Sequence, residues 1–238
     1  MLADVAFRID LPHGRCVGVR IPACGVAGDL LAPGLASLAD AERAYFEALP
    51  PARKASWLAG RIALHEALRD LDLDCGPILA NTRGAPDLPD GVTGSISHKR
   101  ALAVALAARR RDGLSIGVDI EPVPGPQSSP REPGLGVRPD ISSRVMTPAE
   151  LAHLKSIPES LRRREVILCF SIKEALYKAI NPLLGRYVSF QEATVLPSPD
   201  GSVAVTLALS KQEGPFAAQA RWLEIAGHLL TTAAVRPG

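Results

Sequence analysis

Hydrophobic and polar positions along this chain repeat with two different periods. Between Pro51 and Asp70, the apolar residues Trp57, Leu58, Ile62, Leu64 and Leu68 recur at helical spacing and predict an amphipathic helix. Arg53 and Arg61, eight apart, are read onto one side of it. After a turn-rich run, Gly84-Ala85-Pro86-Asp87-Leu88-Pro89-Asp90-Gly91, three short strands are expected at Thr93–Ser97, Ala101–Ala107 and Leu114–Glu121. Thr147-Pro148-Ala149-Glu150 has a Thr N-cap, Pro at the first helical position and Glu at the third, which marks a helix start. A longer helix is expected from Ser160 to Ile180, stopping before Asn181-Pro182. Strands are then expected at Tyr187–Leu196, Val203–Leu209 and Leu229–Val235, with Pro199-Asp200-Gly201 as a turn between the first two. Helices and strands mix without strict alternation, so the expected class is α+β.

One segment breaks this patterning. From Pro122 to Pro139, eleven of eighteen residues are Pro, Gly or Ser, a composition that cannot build a core. It is read as a long loop or linker that separates an N-terminal half, 1–121, from a C-terminal half, 140–238. No short repeat is found, and the region before Leu38 carries no recognisable motif.

The 238 residues suffice for one large domain or two small ones, and a hydrophobic fraction of 47% is ordinary for a globular chain. A net charge of +2 and an aromatic fraction of 4% argue against a nucleic-acid binder. No apolar run reaches the ~20 residues of a membrane span, and the opening Met1–Val5 lacks the basic and apolar regions of a secretory leader. Cys16, Cys24, Cys75 and Cys169 form no C-x-x-C pair and are read as reduced, mostly buried thiols. A cytoplasmic monomer without a membrane or nucleic-acid partner is expected.

Candidate chemistry concentrates in three places. In Leu114–Glu121 the period of two puts Ser115, Gly117, Asp119 and Glu121 on one face, and two carboxylates two steps apart suit one hard cation. A solvated polar strand end would look the same. In Phe170-Ser171-Ile172-Lys173-Glu174-Ala175-Leu176-Tyr177-Lys178, Ser171, Glu174 and Lys178 share a helical stripe. Only six lysines occur against twenty-one arginines, yet two flank this glutamate. An ordinary Glu–Lys helix pair competes with a site that combines a metal carboxylate and phosphate-binding ammonium groups. The third place, Gly94-Ser95-Ile96-Ser97-His98-Lys99, lacks the G-x-S-x-G elbow of a serine hydrolase. His65-Glu66 lacks the second histidine of an H-E-x-x-H zinc site.

Taken together, these segments resemble the 4′-phosphopantetheinyl transferases, in the larger single-chain class that includes the siderophore-synthase type. Arg53-Lys54-Ala55-Ser56-Trp57-Leu58-Ala59-Gly60-Arg61 is similar to the family's R-x-x-x-F/W-x-x-G-R helix. Gly94–Lys99 is similar to its G-S-I-S-H strand end. Gly117-Val118-Asp119-Ile120-Glu121 resembles its G-[VI]-D-[IVA]-E, and Phe170–Lys178 its [FW]-[ST]-x-K-E-[SA]-x-[YF]-K. The resemblance runs from about Leu38 to Leu196.

That resemblance implies a pseudo-twofold α+β fold of two similar halves with the active site between them. It implies an enzyme of the holo-[acyl-carrier-protein] synthase type, which moves the phosphopantetheine arm of coenzyme A to a serine of an apo acyl or peptidyl carrier protein. Asp119, Glu121 and Glu174 would bind magnesium, with manganese as the alternative ion. Lys173 and Lys178 would contact phosphates, while Arg53, Arg61, Arg83, Ser97 and His98 would hold the nucleotide end. Asp119 is also counted among the coenzyme A contacts. Glu174 would be the general base, and Lys173 would neutralise charge on the transferring phosphoryl group. The gap from Glu121 to Glu174 is longer than the family pattern, and Arg131 and Arg138 in it are candidate contacts to an acidic carrier. A silent coenzyme A or carrier-binding module and a magnesium-dependent phosphohydrolase are the competing readings.

Overall fold

The computed structural model describes residues 4–22, 32–125 and 142–238. Its contacts divide the chain into two units, residues 1–111 and 112–238.

In the first unit, Val5–Leu11 (β1) and Gly14–Arg20 (β2) form an antiparallel hairpin with Leu11 opposite Gly14. Two short helices, Ala32–Ala36 (α1) and Asp40–Ala48 (α2), precede the long helix Pro51–Arg69 (α3). Val92–Lys99 (β3) and Leu102–Arg109 (β4) complete a four-stranded antiparallel sheet of order β1-β2-β4-β3. The alternate residues Ala103, Ala105 and Ala107 of β4 share one core with Leu58, Ala63 and Leu64 of α3. Side chains this small let a helix lie close to a sheet. The hairpin before Leu38 was not expected, because charged residues interrupt its apolar pattern. Two of those charges tie it to the end of α3, through Arg8 Nη1 to Asp70 Oδ1 at 2.8 Å and Arg15 Nε to Asp70 Oδ2 at 2.8 Å.

The second unit begins with Ser115–Pro122 (β5), followed after the undescribed residues by Ser142–Val145 (α4), Pro148–Ser156 (α5) and Glu159–Leu184 (α6). Ala193–Pro197 (β6), Ser202–Leu207 (β7), Phe216–Ile225 (β8) and His228–Pro237 (β9) follow. The five strands form an antiparallel sheet of order β5-β9-β8-β7-β6. Each unit thus sets a long helix against an antiparallel sheet, the α+β class read from the pattern.

Several expectations change. The division falls at 111/112 rather than after Glu121, because β5 pairs with β9 along its whole length and so belongs to the second sheet. Most of the Pro122–Pro139 loop, with Arg131 and Arg138, lies outside the described residues, as does Cys24. Helix α6 does not stop at Asn181-Pro182 but continues to Leu184, ended by Gly185 in the left-handed region (φ 68°). Pro182 falls in its last turn, and Asn181 Nδ2 donates to the Arg186 carbonyl at 2.9 Å, closing that end. Strand β6 starts later than expected, at Ala193, and β8 was missed altogether.

The feature that fixes α6 on the sheet is Gly117. A Cβ placed there would lie 1.9 Å from the Ala175 carbonyl oxygen and 2.8 Å from the Ala179 nitrogen, both helix backbone. Neither can move without displacing α6. Gly117→Ala is therefore expected to cost about 1–3 kcal/mol and to lower the melting temperature by several degrees. Gly125→Ala, where a Cβ meets nothing within 4 Å, should melt as the wild type does in the same calorimetric scan.

Candidate functional site

The close approach at Gly117 sets the polar face of β5 against α6. Asp119, 6% exposed, is held at both oxygens by that helix: Ser171 Oγ donates to Oδ2 at 2.9 Å and Lys178 Nζ to Oδ1 at 2.8 Å. Lys178 also donates to the Val118 carbonyl at 2.9 Å. Ser171 and Lys178 are seven residues apart, within about 20° of one stripe at 100° per residue, which is why both reach the same carboxylate. Thr231, directly across the ladder from Asp119, donates to the Ser171 carbonyl at 3.0 Å. Glu121 is buried two residues along the same face of β5, and Glu174 is half-buried on the stripe of Ser171 and Lys178. Among the described residues, no three His, Cys, Asp or Glu side chains are grouped to hold a metal ion.

Lys173 behaves differently from the expectation. It is 2% exposed and turned about 140° around the helix from Lys178. Its three ammonium hydrogens go to Glu150 Oε2 at 2.7 Å, the Val145 carbonyl at 2.7 Å and the Phe190 carbonyl at 2.8 Å. Burial pulls its pKa down, against the opposing pull of Glu150. With every donor engaged inside the unit, Lys173 is not placed to meet a phosphate. Glu150, recognisable from sequence only as a capping residue, also accepts from the Thr147 nitrogen at 2.6 Å and the Val195 nitrogen at 2.6 Å. This one carboxylate joins α5, α6 and β6.

A groove of about 330 Å³ opens on the same unit, walled by Phe170, Tyr187 and Phe190 with Arg144, Ser189 and Gln191. Phe170 and Phe190 rings lie 5.7 Å apart. Sequence reasoning missed it, since Tyr187–Glu192 was expected to begin a strand and is instead a loop ending in a 3-10 turn.

In the first unit, α3 separates its two arginines. Eight residues amount to about 80° of rotation, so Arg53 and Arg61 are not on one stripe. Arg53 is exposed in the first turn, while Arg61 is buried, its guanidinium 5.0 Å from the Trp57 ring and its Nε 3.9 Å from Glu42 Oε1. Among the described residues, Arg61 Nε and Nη1 and Trp57 Nε1 have no hydrogen-bond partner. Glu42 is fully buried and also bonds His65 Nε2 at 2.8 Å. Ser97 is buried near the end of β3, His98 beside it is exposed, and Arg83 lies in an exposed turn.

The model of the 4′-phosphopantetheinyl transferase N-terminal domain matches residues 41–108, and that of the 4′-phosphopantetheinyl transferase superfamily matches residues 115–233. The chain is 35% identical over 163 residues to 4′-phosphopantetheinyl transferase Svp of Streptomyces mobaraensis, covering 67% of this chain and 61% of that protein. It is 30% identical over 152 residues to 4′-phosphopantetheinyl transferase PptT of Mycobacterium tuberculosis, covering 63% and 61%. With enterobactin synthase component D of Salmonella typhi it shares 35% over 129 residues, or 54% and 49%. The chain thus spans about half to three fifths of the length of these relatives. Among solved structures, a Chronobacterium ammoniagenes ACPS–CoA complex aligns over 52% of this chain and 98% of its own, at 22% identity and a TM-score of 0.39.

The Lys173–Glu150 pair is expected to act on stability. Lys173→Met leaves a buried carboxylate without its cation and should destabilise the chain by about 3 kcal/mol in urea unfolding. The double variant Lys173→Met/Glu150→Gln should recover part of that loss.

Proposed function

The chain belongs to the 4′-phosphopantetheinyl transferase superfamily, and we propose that it moves the phosphopantetheine arm of coenzyme A to a serine of an apo acyl or peptidyl carrier protein. The observation that carries this reading is Asp119, a buried carboxylate that already draws a cation, the Lys178 ammonium, onto one of its oxygens. Asp119, Glu121 and Glu174 are the oxygen donors that would hold magnesium, with manganese as the alternative, once drawn together around it. A bound dication would supply charge neutralisation at the pyrophosphate of coenzyme A.

The chain's own side chains account for the rest. Glu174, half-buried on the stripe that faces β5, takes the proton of the carrier serine as that oxygen bonds to the β-phosphorus. The bond from the β-phosphorus to the bridging oxygen breaks, and adenosine 3′,5′-bisphosphate leaves carrying that oxygen and the bonding electron pair. Phosphate charge is assigned to Lys178 rather than to the fully engaged Lys173. Arg53, Arg83, Ser97 and His98 are assigned to the nucleotide end. Arg61 joins them because buried guanidinium hydrogens without acceptors favour an incoming anion. The aromatic groove suits a slim, amide-bearing arm. A cytoplasmic monomer serving siderophore, polyketide or non-ribosomal peptide synthesis completes the reading.

Incubating the chain with coenzyme A, magnesium and a panel of apo carrier proteins, followed by intact-mass measurement, tests the proposal. A gain of one phosphopantetheine on any carrier supports it, and no gain across the panel overturns it. Asp119→Ala should lose nearly all transfer while its circular dichroism stays native. Arg53→Ala should raise the KM for coenzyme A and change kcat less, since Arg53 is assigned to the end remote from the reacting phosphorus. A fall in kcat at constant KM would contradict that role.

A further inference from the structure

The loop between α6 and β6 supplies Tyr187, Ser189, Phe190 and Gln191 to the aromatic groove, yet it has almost no regular structure. A loop of this kind is ordinarily mobile unless side chains hold it. Here Arg186 stands at its start. Nε donates to Glu213 Oε1 at 2.9 Å, and Nη1 donates to the Tyr187 carbonyl at 2.8 Å and to Glu192 Oε1 at 3.2 Å. Nη2 donates to Glu192 Oε2 at 2.7 Å and also to Glu213 Oε2. All five guanidinium hydrogens are thereby engaged, which leaves none for a substrate phosphate.

Glu192 extends the fastening. It accepts from the Ser189 nitrogen at 3.0 Å and the Ser210 nitrogen at 2.8 Å. Its carboxyl is held down to about 2 chiefly by Arg186, so it stays ionised throughout the neutral range. At the far end of the loop, Gln191 Nε2 donates to the Met146 carbonyl at 3.1 Å, and Lys173 holds the Phe190 carbonyl.

We infer that Arg186, bridging Glu192 and Glu213, is a positioning residue that holds the groove wall in shape for the pantetheine arm of coenzyme A. This rests on the transferase reading, which gives the groove to the arm, and deepens it by naming the group that preorganises the groove wall. A preformed wall lowers the ordering cost of binding a flexible arm. Because the arm is gripped alike before and during transfer, loss of the wall should appear in affinity rather than in turnover.

The test compares wild type, Arg186→Lys and Glu213→Gln as full chains. An ammonium cannot bridge two carboxylates with the planar fork of a guanidinium, and Glu213→Gln keeps the shape while removing one charge. Calorimetric affinities are measured for coenzyme A and for adenosine 3′,5′-bisphosphate, which lacks the arm, alongside kcat and KM. For Arg186→Lys, coenzyme A binding and KM should weaken on the order of tenfold, with bisphosphate affinity and kcat nearly unchanged. Glu213→Gln should move the same quantities in the same direction by less. Equal weakening toward both ligands, or no change toward either in both variants, overturns the inference. A wild-type chain that binds neither ligand overturns the transferase reading itself, a distinct outcome.

Discussion

The second unit depends on one steric constraint, the approach of a helix backbone to a strand at a position without a side chain. Gly117 lets the Ala175 carbonyl come where a methyl group would otherwise stand. The consequences run in both directions from that contact. Two residues along the strand, Asp119 comes within hydrogen-bond reach of Ser171 and Lys178. On the helix, Ala175 and Ala179 are as small as the contact requires. A burial of charge that would ordinarily be costly becomes tolerable because donors arrive at fixed distance from both oxygens.

The first unit meets the same demand from the other side. Gly60 lies on its helix, and a Cβ there would reach the Ile96 side chain at 2.8 Å. That neighbour is a methyl group rather than backbone, so the constraint is softer. Around it the alanines of β4 do the work that one glycine does in β5. Two units with the same plan thus bring helix to sheet by different means, one through a row of small residues and the other through a single position.

Much of the candidate site was legible because period-two and period-3.6 patterns place side chains by simple rotation. The shared face of Gly117, Asp119 and Glu121 and the stripe of Ser171 and Lys178 follow from those periods alone. The same arithmetic, carried to the pair of lysines, would have separated Lys173 from Lys178. What it cannot supply is the partner on the far side: Glu150 lies on another helix and the Phe190 carbonyl in a loop. The aromatic groove was hidden for a related reason. Tyr187–Glu192 has the β-forming residues of a strand, but Arg186 and Glu192 bind the segment to side chains instead of to a neighbouring ladder. The hairpin β1–β2 was obscured by charges whose use appears only once Asp70 is nearby. Helix α6 outran its proline because only one backbone donor is lost so near its end.

Lys173 carries one more implication. An ammonium group in water swaps its hydrogens with solvent rapidly and spins freely about its last carbon bond. Here each hydrogen has its own acceptor, on three different segments of the unit. Rotation would break three bonds together, and exchange must wait for the surrounding segments to part. The side chain therefore behaves as a built-in clock for the opening of this unit: its hydrogens are replaced only as often as α6 parts from α4, α5 and the groove loop.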